Sequence, residues 1–324
     1  MKILLILPNW LGDGVMASAA IESLCESYPQ ARLTLVGSAV SIEALKHHPL
    51  CVASYIDHTK KSLLRVASTY SLAKKIGPHD IAISFRDNIY ANLLLKLTDT
   101  PITISKKSIS ADILLLKSVA VSKGIHLVEQ YQKLIDVATS KAVEPGRLRL
   151  FVEPHSSPRA LLGINAGSTY GSAKRWEPKR FAEVAAHFCD RYDILIFGSS
   201  NERVVADEIE KHLVDLGVSN YLNLAGETTV EELIASIASL DLLITNDSGP
   251  MHVAAAYGVT TVAIFGSTKS DETSQWRNPK SSIVRVDIEC APCMKRTCPL
   301  GHHDCMKRVT SDMVIDSVGK LIRE

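Results

Sequence analysis

The stretch KILLILPNWLGDGVMASAAIESL (residues 2–24) joins an unbroken apolar run of strand length to a helical pattern of small residues, through Gly12-Asp13-Gly14. A continuous apolar run is what a parallel strand buried on both faces requires. The spacing Gly12-Asp13-Gly14-Val15-Met16-Ala17 also satisfies the dinucleotide fingerprint G-x-G-x-x-G/A. Two features turn against a dinucleotide. The next strand ends Leu35-Val36-Gly37-Ser38, without the acid that should meet a ribose. The Asp13 carboxylate would also repel a pyrophosphate at close range. What remains is an aspartate at a strand-to-helix turn, with glycines that let a substrate approach. A helix N-terminus favours its ionised form, and a carboxylate there can take a proton from an alcohol. The plainer alternative is a helix-capping aspartate.

Strand and helix patterns then alternate. ARLTLVGS (31–38), VASYIDH (52–58), DIAISFRDN (80–88) and PITIS (101–105) read as strands, with helical patterns between the first three. After a mixed stretch and a crossover over residues 143–159, the rhythm restarts. ALLGINAGS, DILIFGSS, YLNLAG, DLLITNDSG and VTTVAIFGS are strands, and TSDMVIDSVGKLIRE (310–324) is a capped amphipathic helix. Such alternation predicts doubly wound α/β sheets. Two Rossmann-like domains are expected, over 1–155 and 156–324, facing across a cleft lined by loops at the carboxyl ends of their strands.

Bulk properties agree with a two-domain globular chain: 324 residues, 46% hydrophobic and 22% charged. The net charge of +1 gives no general affinity for nucleic acid. Its distribution is uneven. Residues 1–157 hold 18 Lys and Arg against 13 Asp and Glu, and the remainder 18 against 22. The first half therefore suits an anionic partner. The run ILLIL ends at Pro8, short of the roughly 7–15 apolar residues of a secretory h-region. No segment reaches the roughly 18 needed to span a bilayer. A cytoplasmic location is expected, and the seven cysteines are read as thiols or metal ligands.

Three loops of the second half carry chemistry. In LLITNDSGPMHVAAAYG (242–258) a strand ends in Asn246-Asp247-Ser248-Gly249 and a helix opens at Pro250. Ser248, Gly249 and the amides of that first turn form an anion site. His252 can reach the same anion, and Asp247 is expected to meet sugar or ribose hydroxyls. The companion loop INAGSTYGSAKRW offers Ser168, Thr169 and Lys174 to a diphosphate. It lacks the Walker order, which argues against ATP hydrolysis. Glu202 follows a strand and is placed to take ribose hydroxyls, although it also reads as a surface glutamate. Finally, Cys290, Cys293, Cys298 and Cys305, with His302 and His303 nearby, supply enough ligands for structural zinc. Free thiols packing a loop are the alternative.

NWLGDGVM (9–16), AGSTYGSAKRW (166–176), NDSGPMHVAAA (246–256) and APCMKRTCPLGHHDCM (291–306), in this order, resemble the ADP-heptose:lipopolysaccharide heptosyltransferases of glycosyltransferase family 9. The resemblance implies a GT-B fold, with acceptor bound by the first domain and nucleotide-sugar by the second. It places the acceptor-activating base on Asp13 and the diphosphate ligands on Ser168, Thr169 and Lys174. The ribose acid then falls on Glu202, and further donor contacts on Asp247, Ser248, Gly249 and His252. Lys60, Lys61, Arg65 and Arg86 are suggested for the anionic groups of the acceptor. The implied reaction moves heptose from ADP-heptose, with inversion and no required cofactor, onto lipid A–Kdo–heptose at the inner leaflet of the inner membrane in Gram-negative bacteria. The enzyme would be cytoplasmic and peripheral there. The last helix is expected to pack back on the first domain and, with the crossover around Gly146, to act as a hinge. A family member of another acceptor specificity would share every donor residue. A non-catalytic ADP-sugar-binding protein would have no need of Asp13.

Overall fold

The computed structural model describes residues 1–322. It divides into a first unit, Met1–Phe151, and a second from Val152 onward, four residues ahead of the boundary expected from sequence. The first unit runs β1 (Lys2–Ile6), α1 (Leu11–Ser27), β2 (Arg32–Gly37), α2 (Ala39–Leu45), β3 (Cys51–Ile56), α3 (Arg65–Ile76), β4 (Ile81–Ser84), α4 (Ile89–Leu97), β5 (Ile102–Lys106), α5 (Ile109–Ile113), β6 (Lys117–Val119) and α6 (Leu127–Thr139). Its six strands are all parallel, in the order β3-β2-β1-β4-β5-β6. Ile3 to Ile6 of β1 have no exposed surface, as the apolar run requires. The order reverses between β1 and β4, where neighbouring crossovers leave to opposite faces and a crevice opens at the strand ends.

Helix α1 starts at Leu11, so Gly12, Asp13 and Gly14 lie within its first turn rather than before it. A methyl group on Gly14 would rest 3.5 Å from the Ser41 hydroxyl of α2. This glycine faces a neighbouring helix, which corrects the expectation that it opens a path for substrate. Small residues along α1 let it pack closely on both α6 and α2.

The second unit contains β7 (Leu161–Asn165), α7 (Pro178–Phe188), β8 (Asp193–Phe197), α8 (Arg203–Asp215), β9 (Tyr221–Asn223), α9 (Val230–Ala238), β10 (Leu242–Asn246), α10 (Gly249–Tyr257), β11 (Thr260–Ile264), α11 (Ser270–Thr273), β12 (Ser281–Val284), α12 (Asp304–Lys307) and α13 (Ser311–Leu321). Its parallel sheet has the order β12-β11-β10-β7-β8-β9. Counted from its own first strand this is the same topology, with the reversal between β7 and β10. The family resemblance implies a last helix packed on the first domain, but the buried face of α13, Val314 and Val318, lies in the second unit's core. There it packs on α7, β11 and β12.

The crossover is pinned near its middle, once to each unit. The Arg149 amide donates to Ser18 Oγ at 2.9 Å in the first unit. In the second, the Val152 amide donates to the Tyr257 hydroxyl at 3.2 Å, which donates back to the Val152 carbonyl at 2.7 Å. No helix among the described residues is long and apolar enough to cross a membrane.

Trp176 anchors the second core. It is 1% exposed, stands edge-on to Phe181 at 4.9 Å, and donates its indole N–H to the Val309 carbonyl at 2.9 Å. Trp176→Ala should destabilise the second unit by about 3–5 kcal/mol, the range for deleting a large buried aromatic. Urea unfolding followed by circular dichroism would read this, and an unchanged midpoint would contradict it.

Candidate active site

In the first unit Asp13 is the third residue of α1, half-buried at the end of β1. It acts electrostatically on Lys106, at the end of β5, and on Tyr131 of α6, as does Asp87 after β4. Burial pushes the Lys106 ammonium below its ordinary value, against the pull of Asp87 and Asp13. Burial, then the charges of Asp13 and Asp87, push the Tyr131 hydroxyl well above its ordinary value. The Lys106 ammonium lies over the Tyr131 ring, 4.9 Å from its centroid. Both carboxylates thus act on the same cation. Lys106 and Asp87 were not singled out from sequence. The only signal was a lysine ending an otherwise uncharged strand, ITISK.

Arg86, at the end of β4, is rigidly held. Its Nε donates to the Leu7 carbonyl at 2.6 Å and its Nη1 to Asp57 Oδ2 at 2.9 Å. Asp57 Oδ1 accepts from the Thr59 amide at 3.0 Å and its hydroxyl at 2.7 Å. Burial opposes ionisation of Asp57, but the Thr59 bonds and the Arg86 charge together hold its carboxyl below the ordinary value. Arg86 Nη2 is buried and makes no hydrogen bond, and the same holds for Nε of Arg65, whose guanidinium lies 3.6 Å over the Tyr90 ring. A buried N–H without an acceptor costs about 1–3 kcal/mol, so this cluster favours an anion. Lys60 and Lys61 sit in the adjacent turn Thr59–Lys61, and both are exposed.

In the second unit the loop after β7 is shaped by close backbone contacts. A Cβ on Gly167 would stand 2.4 Å from the Glu202 carboxyl carbon, and one on Gly171 would stand 2.2 Å from the Arg296 carbonyl oxygen. Only glycine permits either approach. The Glu202 carboxylate therefore lies against this loop, where its Oε2 also accepts from the Ser199 amide and hydroxyl at 2.9 and 2.8 Å. Ser168 is buried and Thr169 exposed. Arg175, a residue not anticipated, donates to the Ser168 carbonyl at 3.4 Å and keeps a buried Nε without a partner. Asn246 ties the two loops together, accepting from the Trp176 amide at 3.1 Å and donating to the Ala166 carbonyl at 2.6 Å.

Asp247 departs from expectation. Its Oδ2 is 2.6 Å from the Lys174 ammonium and accepts from the Thr268 hydroxyl, also at 2.6 Å. It is 4% exposed. A carboxylate so engaged positions Lys174 rather than presenting itself to ribose hydroxyls. Lys174 also lies 4.7 Å over the Tyr170 ring. Ser248 stands at the N-cap position of α10 without a side-chain capping bond, and its hydroxyl accepts from Asn165 Nδ2 at 3.0 Å. Gly249 and Pro250 open the helix, and His252 is buried in its first turn.

The cysteine-rich segment braces this loop. Tyr170 donates to the Met294 carbonyl at 2.9 Å, the Ala173 amide to the Arg296 carbonyl at 3.0 Å, and His303 Nε2 lies 3.1 Å from the Ala173 carbonyl. Cys290, Cys293, Cys298 and Cys305 converge with His302 and His303 on a cavity of 20 Å³. Yet among the described residues no three His, Cys, Asp or Glu side chains are placed to hold a metal ion. The zinc set expected from spacing is thus not assembled. The Cys298 sulfur accepts instead from the backbone amides of His303, Leu300 and Gly301, and Cys305 is buried.

Residues 69–303 match the family described as Glycosyltransferase family 9 (heptosyltransferase). Over the whole length of both chains, this one is 36% identical to lipooligosaccharide heptosyltransferase 2 of Campylobacter jejuni, covering 100% of this chain and 99% of that protein. It is 26% identical to lipopolysaccharide heptosyltransferase 2 of Salmonella typhimurium, covering 100% and 99%. The structure of E. coli ADP-heptose lps heptosyltransferase II superposes with a TM-score of 0.81 at 25% identity, covering 100% of this chain and 99% of that one.

Thiol chemistry offers a check on the local electrostatics. The bond from the His303 amide, with those from Leu300 and Gly301, holds the Cys298 thiol below its ordinary value. Burial, then Glu22 and Glu26, push Cys25 up to about 12. The thiolate is the reactive form, so as pH falls toward neutrality Cys298 should keep reacting while Cys25 stays inert. Iodoacetamide labelling of the folded protein, read by peptide mass spectrometry, should modify Cys298 first and Cys25 last. Equal rates would contradict this.

Proposed function

Because the chain belongs to glycosyltransferase family 9, the heptosyltransferases, we propose that it moves L-glycero-D-manno-heptose from ADP-heptose onto the first heptose of the lipopolysaccharide inner core, inverting the anomeric centre. The observation that carries this reading is the placement of chemistry at both topological switch points. Asp13 follows β1 beside β4, and the Lys174 and Ser248 loops follow β7 and β10.

In the proposed reaction the acceptor hydroxyl oxygen attacks the anomeric carbon from the face opposite ADP. Asp13 takes its proton as the new C–O bond forms. The bond from the anomeric carbon to the β-phosphate oxygen breaks, and its electron pair leaves with ADP. Lys174, Ser168, Thr169 and the amides opening α10 meet the charge that grows on that phosphate. Asp247 and Thr268 hold the lysine in place, and Glu202 takes the ribose hydroxyls. His252 and Gly249 complete the donor side. The sequence contains no Asp-x-Asp pair to carry a divalent cation, and lysine with a helix N-terminus suits the same task. On the acceptor side, Arg86 and Arg65 have N–H groups in need of an anion. With Lys60 and Lys61 they suit the phosphates and acidic sugars of a lipid-borne core at the cytoplasmic face of the inner membrane.

Two variants separate the roles. Asp13→Asn should bind ADP as the wild type does and lose about 10²–10⁴-fold in turnover, the usual worth of general-base assistance. Transfer at near wild-type rate would remove Asp13 as the base. Gly171→Ala should displace the loop that carries Lys174 and weaken ADP binding by about 10–100-fold, the worth of one hydrogen bond to a charged group, about 1.5–3 kcal/mol. Calorimetry with ADP would read this, and unchanged affinity would contradict the role given to the loop.

A further inference from the structure

The carboxyl edge of the first sheet carries a second feature that the pattern of the sequence hid. Leu63, Leu64 and Val66 after β3, Ile89 after β4, and Ile109 and Ile113 after β5 all stand exposed, Leu63 completely and Ile109 by 81%. Single exposed aliphatics are ordinary. These form one surface. Arg65, between Leu64 and Val66, lies on the ring of Tyr90, the neighbour of Ile89. Asn92, one turn beyond Ile89, donates to the hydroxyls of Ser108 and Ser110, which flank Ile109. Helix α3 buries only Thr69 and Ala73 among its twelve residues, and Leu64 and Val66 at its start stay exposed. A contiguous apolar face on a soluble unit marks an interaction site.

Its charges favour one occupant. Exposed or partly exposed Lys60, Lys61, Arg65 and Lys107 interleave with the aliphatics, against Asp87 and Asp112. A second copy docked symmetrically would set these cations against each other. A bilayer of anionic lipid takes both features, aliphatics into the acyl boundary and lysine heads to the phosphates. We propose that this edge is the surface by which the protein docks on anionic membrane. The inference deepens the reading above, because the same edge bears Asp13 and the proposed acceptor is carried on lipid.

The test uses the full chain and vesicles without donor or acceptor, so an error in the assigned sugar leaves its outcome unaffected. The protein is floated with phosphatidylcholine vesicles with and without phosphatidylglycerol. Binding is expected only with the anionic lipid and should weaken with salt. The pairs Leu63→Asp with Leu64→Asp, and Ile109→Asp with Ile113→Asp, should each lower it by about tenfold or more, since affinity follows buried apolar area. Val204→Asp with Val214→Asp, exposed on α8 of the second unit, should bind as the wild type does. All three keep their circular dichroism if these surface sites are tolerant. On a deacylated, soluble acceptor the Leu and Ile variants should turn over normally. Wild type that stays off anionic vesicles, variants that float undiminished, or a dimer in light scattering that the same substitutions dissolve would each overturn the proposal.

Discussion

In an all-parallel sheet every strand ends at the same edge, and where the strand order reverses the crossovers part to opposite faces. This constraint governs both units. It acts between β1 and β4 and again between β7 and β10. Asp13, Arg86, Lys174 and the residues opening α10 leave from those four strand ends, and Lys60, Lys61, Arg65, Lys106, Glu202 and Thr268 from the ends of neighbouring strands. The fold does not choose the chemistry; it makes two crevices and lets the loops around them furnish it.

The two crevices handle charge in different ways. In the first, Asp13 and Asp87 both act on the Lys106 ammonium, whose own charge burial opposes. In the second, Lys174 is matched by Asp247, and Thr268 satisfies the same carboxylate oxygen. A buried ion pair is tolerated only when its remaining hydrogen-bonding capacity is met, and the Thr268 hydroxyl helps to meet it. The lysine is thereby held ready beside the first turn of α10. Removing Asp247 would leave a buried cation unpaired, so this carboxylate matters to the site through Lys174.

The strands legible in the sequence are those buried on both faces, where a continuous apolar run is forced. β1 and β10 are read directly for that reason. β6 and β12 escaped notice because they are short, partly exposed edge strands with no run to show. α4 lies between two strand patterns and was passed over. Asp13, Lys174 and the turn after β10 were legible because glycine, proline and charged residues cluster at strand ends. Two matters were hidden because they depend on contacts distant in sequence. Gly14 faces Ser41, and Asp247 is claimed by Lys174 and Thr268. Spacing gave enough cysteines and histidines for zinc, but among the described residues no three of them are placed to hold a metal ion. The apolar edge was likewise invisible, since three loops far apart in the chain compose it.

The central claim, sugar transfer assembled from two switch points, is tested most directly by the mass of the acceptor. Heptosyl-Kdo-lipid A incubated with the protein and ADP-heptose should gain one heptose for each ADP released. ADP released with no gain in acceptor mass, or neither change, would contradict the account.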